Sequence, residues 1–179
     1  MIDSDAELLA QIAQGNQVAI KQMVSNKLPR LLALATRILN NRAEAEDVAQ
    51  ETFLKIWKQA PTWQADLAKF DTWMHRVALN LCYDRLRNKG EGASQELDDE
   101  NDYVDLSLKP DEKLIANQQK NLVSIALKAL PNRQREALVL QYYQELSNIE
   151  TASIMRISID ALESLLSRAR RNMRALLTN

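Results

Sequence analysis

The sequence predicts an all-α protein built from two small helical domains joined by a flexible acidic linker. Three observations carry that prediction. Long stretches repeat their apolar residues at the helical period, and runs of alternating β-branched residues are missing. Only 3 Gly and 4 Pro interrupt 179 residues. Charge then divides the chain. Residues 1–90 hold 12 Lys and Arg against 10 Asp and Glu, residues 91–113 hold 2 against 9, and residues 114–179 hold 9 against 5. Two mildly basic units around an acidic segment are compatible with two nucleic-acid-binding modules, although a solvated linker alone would also explain the acid.

Taken in order, Ala6, Leu9, Ile12 and Ala13 recur over a first helical stretch at about 5–24, which Gly15-Asn16 can break. A second helix is expected over 28–40, ending at Asn40-Asn41. "RAEAEDVAQETFLKIWKQ" (42–59) is a third, with acids early and lysines late, as the helix macrodipole favours. Pro61 stops it, and "PTWQADLAKFD" (61–71) reads as a loop. A fourth helix, "FDTWMHRVALNLCYDRLRNK", runs out near Asn88. Residues 90–112 hold two glycines, many acids and no clear period, which marks a flexible linker.

Helices resume over 112–129, and Pro131 opens "PNRQREALVLQYYQELS". Ser147-Asn148-Ile149-Glu150 has the form of a capping box at the start of a short helix, 148–155. Ser158 can then cap a long helix, 159–177. Two helices joined by so short a turn make a helix-turn-helix. On the second, Leu162, Leu165, Leu166, Ala169, Met173, Leu176 and Leu177 fill one arc, while Asp160, Ser164, Ser167, Arg168, Arg171 and Arg174 lie opposite. That segregation requires only a packed helix. The basic outer face and the capped helix before it point to duplex DNA.

The helix over 70–89 has two different sides. At about 100° per residue, Arg76, Asn80, Asp84 and Arg87 share one stripe, and Val77, Ala78, Leu81, Cys82 and Leu86 share the other. Trp57, Trp63, Phe70 and Trp73 gather around the 61–71 loop. Trp57 and Trp73 read as core, whereas Trp63 and Phe70 bracket polar sequence. Unpaired bases stack on such rings for about 1–3 kcal/mol each, which offsets part of the cost of extracting a base from duplex. His75 reads as a surface or half-buried ring, with a stacking or phosphate contact as the alternative. On the third helix Glu44, Asp47 and Glu51 lie along one side with Gln50 nearby. An acidic stripe suits a basic protein partner better than phosphate, unless it is only a solvated face.

Other classes of function fit poorly. The chain has one histidine, no glycine-rich phosphate loop and no cluster with metal-ligand spacing, so no catalytic residue, metal or cofactor is expected. Cys82, the single cysteine, lies on an apolar helix side and reads as a core thiol. One cysteine allows no internal disulfide, the first residues are acidic rather than signal-like, and no run nears the roughly 20 apolar residues of a membrane span. A cytoplasmic protein is expected.

Four segments, "AEAEDVAQETFLKIWK", "FDTWMHRVALNLCYDRLR", "LPNRQREALVLQYYQELSNIETASIM" and "LESLLSRARRNMRALL", resemble in order an extracytoplasmic-function (ECF) sigma factor of bacteria. The resemblance implies an N-terminal domain over 1–89, a linker over 90–112 and a helix-turn-helix domain over 113–179. It implies an alternative sigma factor that docks on core RNA polymerase, at the beta-prime clamp and beta subunits, and selects promoters. An anti-sigma factor and a stress signal would control it. By the same resemblance, Asp47, Gln50, Glu51, Phe53 and Leu54 lie in the polymerase-docking helix. Trp63, Lys69 and Phe70 belong to the loop that captures a flipped −10 base, with Arg76, Asn80 and Arg87 on the adjoining DNA face. Arg85 lies near Arg87 but projects from the apolar side. Glu163, Ser164, Ser167, Arg168 and Arg171 fall at −35-contacting positions. The family often has basic residues where Glu163 and Leu165 stand here, so a familiar −35 preference does not transfer; Glu could accept from a cytosine amino group. The alternative is a stand-alone helix-turn-helix regulator, and a third reading is an interaction protein with no DNA role. Whether the two domains are closed together or splayed is left open.

Overall fold

The computed structural model describes residues 4–67, 69–89 and 118–178, and among these there is no strand. The acidic segment 90–112 and the expected helix start at 112 lie outside the described residues.

Helix α1 (Ser4–Ala13) buries Leu9 and Ile12 and ends before Gly15, whose φ of +80° suits a residue without Cβ. Asn16 then caps α2 (Gln17–Leu39), its side-chain oxygen accepting from the amides of Val18 (3.0 Å) and Ala19 (3.3 Å). The structure therefore moves a boundary. The break falls at Gly15-Asn16 alone, and the two helices expected over 5–24 and 28–40 are α1 and one long α2 with Pro29 inside it. Pro29 and Ser25, whose carbonyl loses its helical donor, are both solvent-exposed, while Met23, Lys27 and Leu31 are buried. The lost bond is left to water and packing keeps the helix intact.

Asn40 takes the left-handed conformation, and Asn41 caps α3 (Arg42–Gln59) by accepting from the Glu44 amide at 3.1 Å. A short 3-10 turn at Ala60–Thr62 carries Pro61, and α4 follows over Phe70–Asn88. Helices α1 to α4 pack on one another, with α2 against α1, α3 and α4. Lys27 of α2 joins them at one point, donating to Asp5 of α1 (2.9 Å) and Asp71 of α4 (2.8 Å). Burial disfavours its charge, but the two carboxylates outweigh burial and hold Lys27 above the usual lysine value.

The C-terminal domain comprises α5 (Gln118–Ala129), α6 (Asn132–Leu138) extended by a π turn at Val139–Tyr143, α7 (Asn148–Met155) and α8 (Ile159–Thr178). The capping box forms as read: Ser147 Oγ accepts from the Glu150 amide (3.1 Å), and the Glu150 carboxylate accepts from the Ser147 amide (2.9 Å). Arg156 turns the chain in the left-handed conformation, and Ser158 Oγ accepts from the Ala161 amide at 3.1 Å to start α8. The predicted apolar arc of α8 is buried at Leu162, Leu165, Leu166 and Ala169. The two domains also pack together, α7 on α4 and the π turn and α5 on α2, so that a single core runs through both.

Candidate functional site

The expected acidic stripe on α3 divides when folded. Asp47 and Gln50 face solvent and Leu54 is 65% exposed, an outward patch that combines a carboxylate, an amide and an apolar tip. Glu44 and Glu51 turn instead toward the end of α4, pairing with Lys89 (2.5 Å) and Arg85 (2.6 Å). Arg85 thus leaves the apolar side of its helix by reaching sideways to a neighbouring helix, with its stem half-buried. Phe53 is only 7% exposed and stacks on Trp57 with ring centroids 5.6 Å apart, so it supports the α3 patch from beneath.

The aromatic group around the loop is a wedge. Trp63 meets Phe70 edge-on at 5.6 Å and Trp73 at 5.7 Å. Phe70 is 1% exposed, under the Lys27 ammonium, and in this arrangement offers no face to a base. The physical reason is that Phe70 opens α4 on its core side, in register with Met74 and Ala78. Trp63 stays half-buried and Lys69 exposed beside it.

Along α4 the polar stripe forms. Asn80, Asp84 and Arg87 are exposed, with Arg87 hydrogen-bonded to Asp84, and Arg76 is half-buried. The core side is Met74, His75, Ala78, Leu79, Cys82 and Leu86, rotated from the expected one so that Val77 and Leu81 are only partly covered. Cys82 is a core thiol, its pKa pushed up to about 12 by burial. His75 differs from both readings made of it. It is 1% exposed, Nδ1–H donates to the Asp71 carbonyl (2.6 Å), and Nε2 faces Gln144 Oε1 at 3.2 Å. Burial holds it below the ordinary histidine value, against the contrary pull of these bonds.

On α8, Glu163, Ser164, Ser167 and Arg171 are exposed and Arg168 is half-buried, with its Nε donating to the Ser164 carbonyl at 3.4 Å. These five share the outward side opposite the buried leucines. They are therefore presented as one surface on the second helix of a helix-turn-helix.

Between the domains lies a set of polar contacts that no local pattern signals. Arg30 of α2 donates to the Gln144 carbonyl (2.8 Å), and the Gln144 amide donates back to the Arg30 carbonyl (3.3 Å). The Tyr83 hydroxyl donates to Glu136 at 2.5 Å, and burial lifts the Glu136 carboxyl above its usual value. Arg135 is buried in a cage of carbonyls, donating to Ile38 (2.9 Å) across the interface and to Leu127 (2.8 Å), Lys128 (2.7 Å) and Leu130 (3.1 Å) on its own side. Arg76 donates to the Ser153 carbonyl of α7, and Lys69 lies 3.9 Å from Glu150. The partners stand 53 to 114 residues apart in His75–Gln144, Tyr83–Glu136 and Arg30–Gln144, which is why periodicity could not find them.

Among the described residues no three His, Cys, Asp or Glu side chains come together to hold a metal, and no helix is long and apolar enough to cross a membrane.

Comparison with known proteins agrees with this geometry. Residues 23–91 match sigma-70 region 2, and residues 122–173 match sigma-70 region 4. The chain is 30% identical over 174 residues to the ECF RNA polymerase sigma factor SigW of Bacillus subtilis, covering 93% of this chain and 92% of that one. It is 31% identical over 174 residues to the ECF RNA polymerase sigma factor SigM of Mycobacterium tuberculosis, covering 97% and 85%. Among solved structures it resembles CnrH in complex with the cytosolic domain of CnrY, with a TM-score of 0.72, 28% identity and 98% coverage of both chains. It also resembles the sigma factor RpoE bound to the anti-sigma factor NepR from Bartonella quintana, with a TM-score of 0.66, 26% identity, and coverage of 88% of this chain and 96% of that one.

Proposed function

The chain belongs to the ECF family of RNA polymerase sigma factors, and from that premise we propose how its surfaces divide the work of an alternative sigma factor. Residues 1–89 form the unit that docks on core polymerase and reads the −10 element as single strand, 90–112 the connector, and 113–179 the unit that reads the −35 duplex. Docking falls to the outward patch of α3, Asp47, Gln50 and Leu54, with Glu51 oriented by Arg85 and Phe53 underneath. Trp63 and Lys69 of the loop, over the Phe70 anchor, with Arg76, Asn80 and Arg87 of α4, engage melted DNA. Glu163, Ser164, Ser167, Arg168 and Arg171 face the −35 groove.

The observation that carries the proposal is the exposure of the α3 patch beside the polar stripe of α4, in a chain that also presents the second helix of a helix-turn-helix. Polymerase would perform the chemistry; this protein has none of its own and acts in the cytoplasm. CnrH and RpoE were solved with protein partners, in RpoE's case an anti-sigma factor, and a comparable inhibitor is proposed here. The test is co-elution with bacterial core RNA polymerase. Because Glu51→Ala would also strand Arg85, the informative variant is Asp47→Ala/Leu54→Ala. Binding by the natural chain and its loss in the variant is expected. Equal binding by both would move docking off this patch, and no binding by the natural chain would favour a stand-alone regulator.

A further inference from the structure

The surface that α8 offers to a −35 duplex is acidic at the end that meets bases and basic further along. We propose that α8 selects its −35 element by an amino group: Glu163 accepts from a cytosine in the major groove, and the same carboxylate excludes guanine at that position. The inference rests on the −35 role proposed above for α8.

Helix α8 has a head and a tail of opposite charge. From Ile159 to Ser167 it carries Asp160 and Glu163 and no lysine or arginine, and Arg168, Arg170, Arg171 and Arg174 all follow. Burial of Leu162, Leu165 and Leu166 turns Asp160, Glu163, Ser164 and Ser167 outward together, and all four are exposed. The start of the second helix in a helix-turn-helix is the part that contacts base edges. The tail is left for phosphate, with Arg171 and Arg174 exposed on the same side. Arg170 is already engaged, donating to the Tyr142 hydroxyl (3.0 Å) and to Gln141 (3.2 Å). Arginine, the commonest reader of guanine, is therefore missing from the head.

Glu163 is placed as a reader and has no task in the fold. The helix macrodipole favours an acid in the first turn, which accounts for Asp160, but that field falls off before Glu163. Among the described residues no hydrogen bond or ion pair engages the Glu163 carboxylate. An ionised carboxylate can only accept. In the major groove cytosine presents an amino donor, whereas guanine presents two acceptors and thymine one. Adenine presents one donor beside one acceptor, so a carboxylate satisfies half of it. Against guanine, acceptors would face acceptors without water between them, which adds a penalty to the lost bond.

The test is selection from a pool of DNA duplexes with a randomised centre, bound by the full chain at low salt and then sequenced. The natural chain should enrich one position for cytosine over guanine by about tenfold or more. Glu163→Gln should move that position to adenine, whose donor and acceptor an amide matches, and Glu163→Arg should move it to guanine. Neighbouring positions should not change. Arg171→Ala should instead weaken all sequences by one factor and lower the salt dependence. A motif that neither Glu163 variant shifts, or a guanine preferred by the natural chain at the position they shift, overturns the proposal. So does an Arg171→Ala variant that changes the motif, since base reading would then lie in the tail. Failure of the −35 reading looks different and removes the premise: the natural chain would enrich no motif, and Arg171→Ala would leave duplex binding unchanged.

Discussion

Lys27 shows how one residue can decide a local assembly. Its ammonium is shared by Asp5 and Asp71, whose side chains are 14% and 37% exposed. Lys27→Met would remove the cation that the two carboxylates share. A fully buried pair broken in this way costs about 3–5 kcal/mol. Asp71 is more than a third exposed, so a loss of about 2–3 kcal/mol is expected by urea denaturation. The same bridge sets a pH response. Lys27 is held above its usual value, so its contribution is complete at neutral pH and falls away as pH rises past the lysine range. Asn80 is the opposite case, exposed on α4 with no structural task shown. Asn80→Ala should slow promoter opening in a stopped-flow assay, leave core binding intact, and change stability by less than about 0.5 kcal/mol. Loss of core binding would mean that Asn80 is structural.

At the scale of the element, α7 depends on its start. It spans eight residues from Asn148 to Met155, too short to persist without capping and packing. Ser147→Ala removes half of the capping box and should cost about 1 kcal/mol, read as a lower urea midpoint with an unchanged slope. Helix α8 needs no such help, because Leu162, Leu165, Leu166 and Ala169 fix it to the domain core. Its outer side can therefore be altered without loss of fold. Arg168→Ala should weaken binding of a −35 duplex by about 1–3 kcal/mol if the guanidinium reads a base, with the helical circular dichroism of the chain preserved. Both helices were legible from pattern because capping and amphipathic spacing are local. Helix α2 was not: one helix runs from Gln17 to Leu39, and surrounding packing carries it through Pro29.

For the whole molecule, the closed arrangement carries a titratable group at its centre. His75 sits between α4 and Gln144 with its pKa depressed by burial, Asp71 favouring its charge and Arg30 opposing it. A depressed value means that the open or unfolded chain binds the proton more readily. Stability from this ring is thus full above the ordinary histidine pKa of about 6.5 and is lost as pH falls below it. Melting temperature and interdomain energy transfer should both drop between about pH 7.5 and 5.5, and His75→Gln should flatten that part of the profile. An unchanged slope in the variant would remove His75 from the account.

Local pattern was enough for α3, α4, α7 and α8, for the Ser147 and Ser158 caps, and for the two-domain order, the outward side of α8 and the family, because each depends on residues within a few turns of one another. Long-range packing turns Phe53 and Phe70 inward, pairs Glu51 with Arg85, and buries His75 beneath Gln144. It also decided that α7 lies on α4. Those outcomes depend on which side of one helix meets another far along the chain. Helical period tells which residues share a side, and only packing and long-range hydrogen bonding tell what that side will face.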